Sequence, residues 1–236
     1  MLKTFFAGAF LFMTTSLLAQ KENQETIEGN GKIITKEIAV TSFDALKASG
    51  VYELNLSQGD KESVKIEADE NMQQYFNVRN EGTQLVIDMK ELKNKNMHLK
   101  SKMKVYVSFR KLKELDLSTI GGVHATSQLN FADLSIKNSS VGHVDLDLLA
   151  NTLNLKNTSV GMVKLSGKAQ SAVFTNNDVG NLDAGSFIVQ TMNIDNSGVG
   201  GAEVNAEKEL KVKDNMLGRV RNKGAAQMKK NNRVRV

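Results

Sequence analysis

Between residues 134 and 218 one nine-residue phrase returns five times, and no other feature of the chain restricts its fold so tightly. It reads Leu134-Ser-Ile136-Lys-Asn138-Ser-Ser-Val141-Gly142, then Leu153-Asn-Leu155-Lys-Asn157-Thr-Ser-Val160-Gly161, nineteen positions on. Later copies are Ala172-Val-Phe174-Thr-Asn176-Asn-Asp-Val179-Gly180, Met192-Asn-Ile194-Asp-Asn196-Ser-Gly-Val199-Gly200 and Leu210-Lys-Val212-Lys-Asp214-Asn-Met-Leu217-Gly218. A weaker copy that lacks the Asn opens at Leu115-Asp-Leu117. A repeat of this size cannot enclose its own apolar face, so the copies must stack and each must cover its neighbour.

Within a copy the apolar residues alternate, as in Leu134 and Ile136, and resume after the glycine at Val144 and Leu146. A period of two argues for strands with one buried face and against helix. Each copy is expected to hold two or three strands of about four residues joined by Asn/Ser/Gly corners, with like residues of successive copies side by side at the ~4.8 Å strand spacing. The resulting fold class is all-β: a single-stranded parallel β-helix, a β-solenoid expected to be right-handed, with rungs of about nineteen residues. Its buried columns are predicted to be Leu115, Leu134, Leu153, Ala172, Met192 and Leu210, beside Leu117, Ile136, Leu155, Phe174, Ile194 and Val212. Asn138, Asn157, Asn176 and Asn196, with Asp214 in the same column, share the inward parity and predict an internal amide ladder from rung to rung. Gly142, Gly161, Gly180, Gly200 and Gly218 are expected to supply the left-handed backbone of the corner. Asn138-Ser-Ser and Asn157-Thr-Ser resemble glycosylation acceptors, but their recurrence with the repeat favours corner chemistry.

Residues 33–110 are strand-rich without a clean period: segments 32–40, 51–57, 63–68, 84–89 and 103–109 carry the signal, separated by turns at Gln58-Gly59-Asp60 and Glu81-Gly82. The phrase Phe43-Asp-Ala-Leu46 echoes Leu112-Lys-Glu-Leu115, which predicts irregular early rungs of the same solenoid. Residues 69–75 fit a helical turn, and residues 91–101 read as a mobile basic loop. Three parts follow: 1–20 a signal peptide, 21–110 an irregular N-terminal β part of the solenoid, and 111–236 the regular rungs with a basic C-terminal end.

The signal peptide rests on Lys3, the apolar run from Phe5 to Met13 and the small-residue exit Leu17-Leu18-Ala19-Gln20. Its apolar core falls short of the roughly 20 residues that a bilayer span needs, so the mature chain is expected to be exported to the periplasm or outer surface with no transmembrane span. Without Cys there is neither a disulfide framework nor a thiolate metal site. The net charge is +5, and residues 207–236 hold ten Lys or Arg against three acids. Such a basic pole is able to dock on anionic glycan or lipid, yet Lys and Arg also blunt an exposed sheet edge, and the second reading is favoured here.

The N-terminal phrases are Gly50-Val-Tyr-Glu-Leu-Asn-Leu-Ser-Gln58-Gly59-Asp60, Ser63-Val-Lys-Ile-Glu-Ala-Asp69, Gly82-Thr-Gln-Leu-Val-Ile87 and Lys104-Val-Tyr-Val107 before Leu112-Lys-Glu-Leu115. In this order they resemble the putative autotransporter adhesin, head GIN domain family of exported proteins common in Bacteroidetes. The resemblance covers nearly the whole mature chain. It implies a β-helical fold and an envelope location, and it brings no catalytic residues with it.

Chemistry is sparse. There is no Trp, and no Tyr follows Tyr106, so aromatic platforms for sugar rings are not expected on the repeats. The outward column Asp145, Lys164, Asp183, Glu203, Arg221 mixes signs and suits a self-neutralising surface better than a carboxylate pair. His124 and His143, nineteen apart, are the weak candidates for a copper or zinc site, but without a third fixed ligand no metal or other cofactor is expected. Asp69-Glu70-Asn71 opens the helical turn, which accounts for its charge without a bound cation. HExxH, GxSxG and Walker patterns are absent, and the basic end lacks interleaved aromatics, so neither a reaction nor nucleic acid is expected. The expected function is a cell-envelope binding or structural protein with a glycan, matrix or protein partner. The alternatives are a polysaccharide-acting enzyme, which is analogy at fold level, and a periplasmic scaffold or sensor.

Overall fold

The computed structural model describes residues 25–89, 95–214 and 217–230, with the side chains of Glu25 and Lys95 excepted; the segment assigned to a signal peptide lies outside the described residues. The protein is nearly all-β, with 71% in strands and 3% in helix, and is wound into a β-solenoid of about six turns. Strands Val141–Asn157, Val160–Asn176, Val179–Asn196 and Ala202–Asp214 each run almost round a rung. They pair in parallel, with Leu153 beside Ala172, Phe174 beside Ile194 and Ile194 beside Val212. The expected separation into strands of four residues is therefore replaced by continuous ladders. The strand runs break at Ser139-Ser140, Thr158-Ser159 and Asn177-Asp178 and again near Ser197, and the register also slips at Leu165, over residues 184–187 and at Gln190.

Alternation explains the interior. Leu134, Leu153, Ala172, Met192 and Leu210 in one column, and Ile136, Leu155, Phe174, Ile194 and Val212 in the next, are all buried. They belong to one continuous apolar core that runs from Ile27 to Ala226, and each Leu or Ile in it contributes about 1.5–3 kcal/mol by burial. Phe174 and Phe187 stack across the interior at a centroid separation of 6.5 Å.

The first copy departs from the expected alignment. Leu115 lies beside Ile136 rather than Leu134, and Leu117 beside Asn138, an offset of 21 residues. Val123 keeps that offset to Val144, whereas Leu129 returns to nineteen against Leu148. The two extra residues thus fall between Ala125 and Leu129, where Thr126 leaves the ladder to bond the Leu56 carbonyl through both its N–H (2.9 Å) and its Oγ1 (3.2 Å).

The echo between Phe43-Asp-Ala-Leu46 and Leu112-Lys-Glu-Leu115 corresponds to direct contact: strand Ala45–Val51 pairs with Glu114–Ile120, with Leu46 against Leu115. Glu53–Gln58 continues that rung beneath Val123–Ala125. On its far side it meets Gln84–Met89 and Lys104–Phe109, still in parallel. Beyond this point the rungs end. Ser63–Asp69 pairs antiparallel with Lys104–Phe109 and with Ile33–Ile38, and Phe76–Glu81 pairs antiparallel with Gln84–Met89. The early region is therefore part rung and part hairpin, and the hairpins close an edge that a plain stack would leave open. A 3-10 helix, Glu70–Tyr75, links two of these strands. Of the expected mobile loop, Lys95–His98 is a strand paired in parallel with Glu25–Glu28, and residues 91–94 lie outside the described residues.

At the other end the last strands are short, Val220–Asn222 and Met228–Lys230. The Asn222 side chain ties them down: its Oδ1 accepts the Ala206 and Gly224 N–H groups, and its Nδ2 donates to the Ala206, Gly224 and Ala226 carbonyls. The basic residues gathered here lean on acids of the turn below. Arg221 and Lys223 both meet Glu203, Lys213 meets Asp195 at 2.7 Å and Lys230 meets Asp214 at 3.0 Å. Exposed pairs of this kind add little stability, but they leave the pole less cationic than its sequence.

Candidate binding surface

Inside the corner, amides form a chain of hydrogen bonds. Asn138 Nδ2 donates to Asn157 Oδ1 at 2.8 Å, Asn157 Nδ2 to Asn176 Oδ1 at 2.7 Å, and Asn176 Nδ2 to Asn196 Oδ1 at 2.7 Å. Asn196 ends the run on the Gly218 carbonyl at 2.9 Å. All four are buried, and so are Ser140, Ser159 and Asp178 in the neighbouring column. The amides of Asn138 and Asn157 thus point into the protein, away from any glycosylating enzyme. Gly142, Gly161, Gly180 and Gly200 hold φ between 133° and 151°, whereas Gly218, the last of the column, is outside the left-handed range.

Asp178 breaks this pattern of satisfied groups. It stands where the two preceding rungs carry Ser140 and Ser159. One carboxylate oxygen accepts from Asn176 Nδ2 at 2.8 Å, while Oδ2 is buried with no hydrogen-bond partner among the described residues. Burial pushes its pKa up from the ordinary 3.8, against the opposing hydrogen bond from Asn176. A raised carboxyl stabilises the fold fully below 3.8, and that contribution is lost as pH rises through the folded value. Asp178→Ser, which places a hydroxyl where Ser159 Oγ donates to Asn157 Oδ1 at 2.8 Å, restores the column. It is expected to raise the unfolding free energy at pH 7 by about 1 kcal/mol. Urea titrations of both proteins should converge as the pH falls toward 3.8.

On the outside, Asp145, Lys164, Asp183, Glu203 and Arg221 form one column of adjacent residues. Lys164 meets Asp145 at 3.5 Å, and Arg221 meets Glu203. The two-residue slip places His124 beside Asp145 rather than beside His143. The imidazoles still stack, at a centroid separation of 6.3 Å and 27° between planes. Among the described residues, no three His, Asp or Glu side chains gather as a metal-holding group. Asp69, Glu70 and Asn71 bind chain to chain: Ser101 Oγ donates to Asp69, Lys32 pairs with Glu70 at 2.8 Å, and Asn71 joins the Asn30 N–H to the Glu28 carbonyl.

A cleft of about 540 Å³ opens where the irregular part meets the regular rungs. Gln58 holds its walls together, donating from Nε2 to the Arg110 and Asn130 carbonyls and accepting the Asn130 N–H. Phe131 lines it and stacks on buried Phe109 at 6.1 Å. A second cleft of about 420 Å³ shares Arg110 and Lys111 as its wall. Arg110 is neutralised by Glu62, whose carboxyl its guanidinium holds below the ordinary range, and Lys113 does the same to Asp44. Lys111 has no ion pair among the described residues, so it is the cation available to a ligand. Neither cleft was legible in the repeat, because both arise where the repeat fails.

Rungs in register, a continuous apolar interior and an amide ladder define a parallel β-solenoid protein. Residues 42–226 match the family described as "Putative auto-transporter adhesin, head GIN domain", and the chain belongs to it. A crystal structure of a "putative adhesin" from Bacteroides fragilis is similar, with a TM-score of 0.74 and 26% identity over 86% of this chain and 99% of that one. A second "putative adhesin", from Parabacteroides distasonis, gives 0.62 and 23% identity over 88% and 96%. A "putative lipid binding protein" from the same species shares the fold at 0.58, with 17% identity over 87% and 99%. No curated protein matches. Among the described residues no helix is long and apolar enough to cross a membrane.

Proposed function

We propose that the chain is an exported binding protein of the bacterial cell envelope, adhesin-like in role, which holds a polar glycan or matrix chain and catalyses no reaction. The observation that carries this reading is the cleft at residues 110–135: rigid walls fixed by Gln58, an aromatic side, and one uncompensated cation at Lys111. A scaffold with so many rung-to-rung bonds changes shape little on binding, which keeps the ordering cost of a polar ligand low. Family membership and the adhesin description of similar structures support the reading.

The test is an array of envelope glycans and matrix proteins probed with the mature chain and with Lys111→Glu. Native protein is expected to bind a polar or acidic chain, and the charge reversal to weaken it about tenfold with the fold unchanged. No retained partner, or release of new chain ends from an acidic polysaccharide, would overturn the proposal. Protease treatment of intact cells then separates surface from periplasm.

A further inference from the structure

The cleft that Gln58 braces is lined by polar side chains that the fold itself leaves unused. Lys111, Glu114, Asn130, Asp133, Ser135 and Asn154 all line it and are all exposed. Among the described residues their side chains make no hydrogen bond and no ion pair. Backbone pairing fixes where three of them stand: Glu114 lies beside Ser135, and Ser135 beside Asn154, a polar row along the stack at the ~4.8 Å strand spacing. Phe131 lines the same cleft, held in place by its stacking on Phe109, and buried Leu112 and Leu134 add to the apolar part of the lining. Arg110 is offset by Glu62 at 2.9 Å and Lys113 by Asp44 at 2.7 Å. The charges left for a ligand are therefore Lys111 against Glu114 and Asp133, one cation and two carboxylates.

We infer that this cleft takes a neutral, hydroxyl-rich sugar, a hexopyranose unit of an uncharged glycan, and discriminates against an acidic one. The inference rests on the binding role proposed above and names the class of ligand for that same cleft. An anionic chain meets two free carboxylates with one ammonium to offset them, and like charges brought together at an interface are costly. A sugar hydroxyl both donates and accepts. Glu114 and Asp133 accept from its O–H groups in charge-assisted bonds, while the Lys111 ammonium and the Asn130 and Asn154 amides donate to its oxygens. A pyranose also carries an apolar C–H face, which suits the negative face of the Phe131 ring. The aromatic side chain that the repeats lack is thus supplied where the repeat begins. A volume of about 540 Å³ falls within the ~300–1,000 Å³ of small-molecule sites. A polycation fits less well, because it meets Lys111 as a like charge and leaves the amide donors without acceptors.

The test is calorimetric titration of the mature chain with neutral tetrasaccharides of glucose, mannose and galactose, with tetragalacturonate and with tetralysine. A neutral sugar is expected to bind, its affinity changing by less than about twofold between about 0.05 and 0.5 M salt. Glu114→Gln combined with Asp133→Asn is expected to weaken it at least about tenfold with the melting temperature unchanged. On an anion the same double exchange acts with the opposite sign, because the repelling carboxylates are gone. Tighter binding of tetragalacturonate than of any neutral sugar, strengthened by that exchange, would refute the inference while keeping the cleft as the binding site. Tighter, salt-sensitive binding of tetralysine would refute it in the same way. If no probe binds at up to about 10 mM, or if binding is indifferent both to the double exchange and to Lys111→Glu, the cleft is not the site and the proposed function falls with the inference.

Discussion

Replacing Asn157 by Ala is expected to lower the unfolding free energy by about 3–5 kcal/mol, the largest loss for any exchange of one polar side chain in the repeats. Asn157 is fully buried. It accepts from Asn138 Nδ2 and from Ser159 Oγ, each at 2.8 Å, and donates to Asn176 Oδ1 at 2.7 Å. Its removal leaves three polar atoms on three rungs without partners, in a place where water enters only if a rung opens. Each buried orphan costs about 1–3 kcal/mol, and they lie on neighbouring rungs that must stay in register. The measurement is urea unfolding followed by circular dichroism, with Asn154→Ala as the comparison. Asn154 belongs to the same strand but faces outward, and its loss should change stability by less than about 0.5 kcal/mol. Equal effects at the two positions would show that the ladder carries no special share of the stability.

The ladder was readable from residues because parity and period coincide: Asn138, Asn157, Asn176 and Asn196 fall on the inward phase of strands whose apolar neighbours announce it. The register of the first copy was not. A slip of one residue turns every side chain to the wrong face, but a slip of two keeps Leu115 and Leu117 inside, so alternation cannot detect it. The bulge between Ala125 and Leu129 sets the true offset, and Thr126 within it bonds Leu56, seventy residues away in sequence. The same slip moved His124 onto Asp145. In the early region, alternation located strands such as Ser63–Asp69 and Gln84–Met89 but carried no information on direction. The antiparallel closure, and with it the clefts beside Arg110, therefore emerged only from three-dimensional pairing.

Gly180→Ala is expected to be among the most damaging small substitutions in the repeats, with a loss on the order of 3–5 kcal/mol or no folded product. Two causes act together. The residue sits at φ 151°, where an L side chain is strained. A Cβ placed on it would also stand 1.7 Å from the Gly161 carbonyl oxygen on the rung below. That oxygen is backbone in a continuous ladder, so relief requires parting two rungs rather than turning a side chain. Gly82 separates the two causes: its φ of 61° is also left-handed, but a Cβ there has open space. Gly82→Ala should therefore cost only about 1–2 kcal/mol, the conformational part alone. Thermal unfolding of both variants is the check. If they lose equal stability, the rung-to-rung contact is not what reserves the corner for glycine, and the spacing between turns must yield more easily than a continuous strand ladder implies. If Gly180→Ala fails while Gly82→Ala folds, the recurrence of Gly142, Gly161, Gly180 and Gly200 follows from the closeness of the rungs, and any longer relative built on this corner is bound to repeat it.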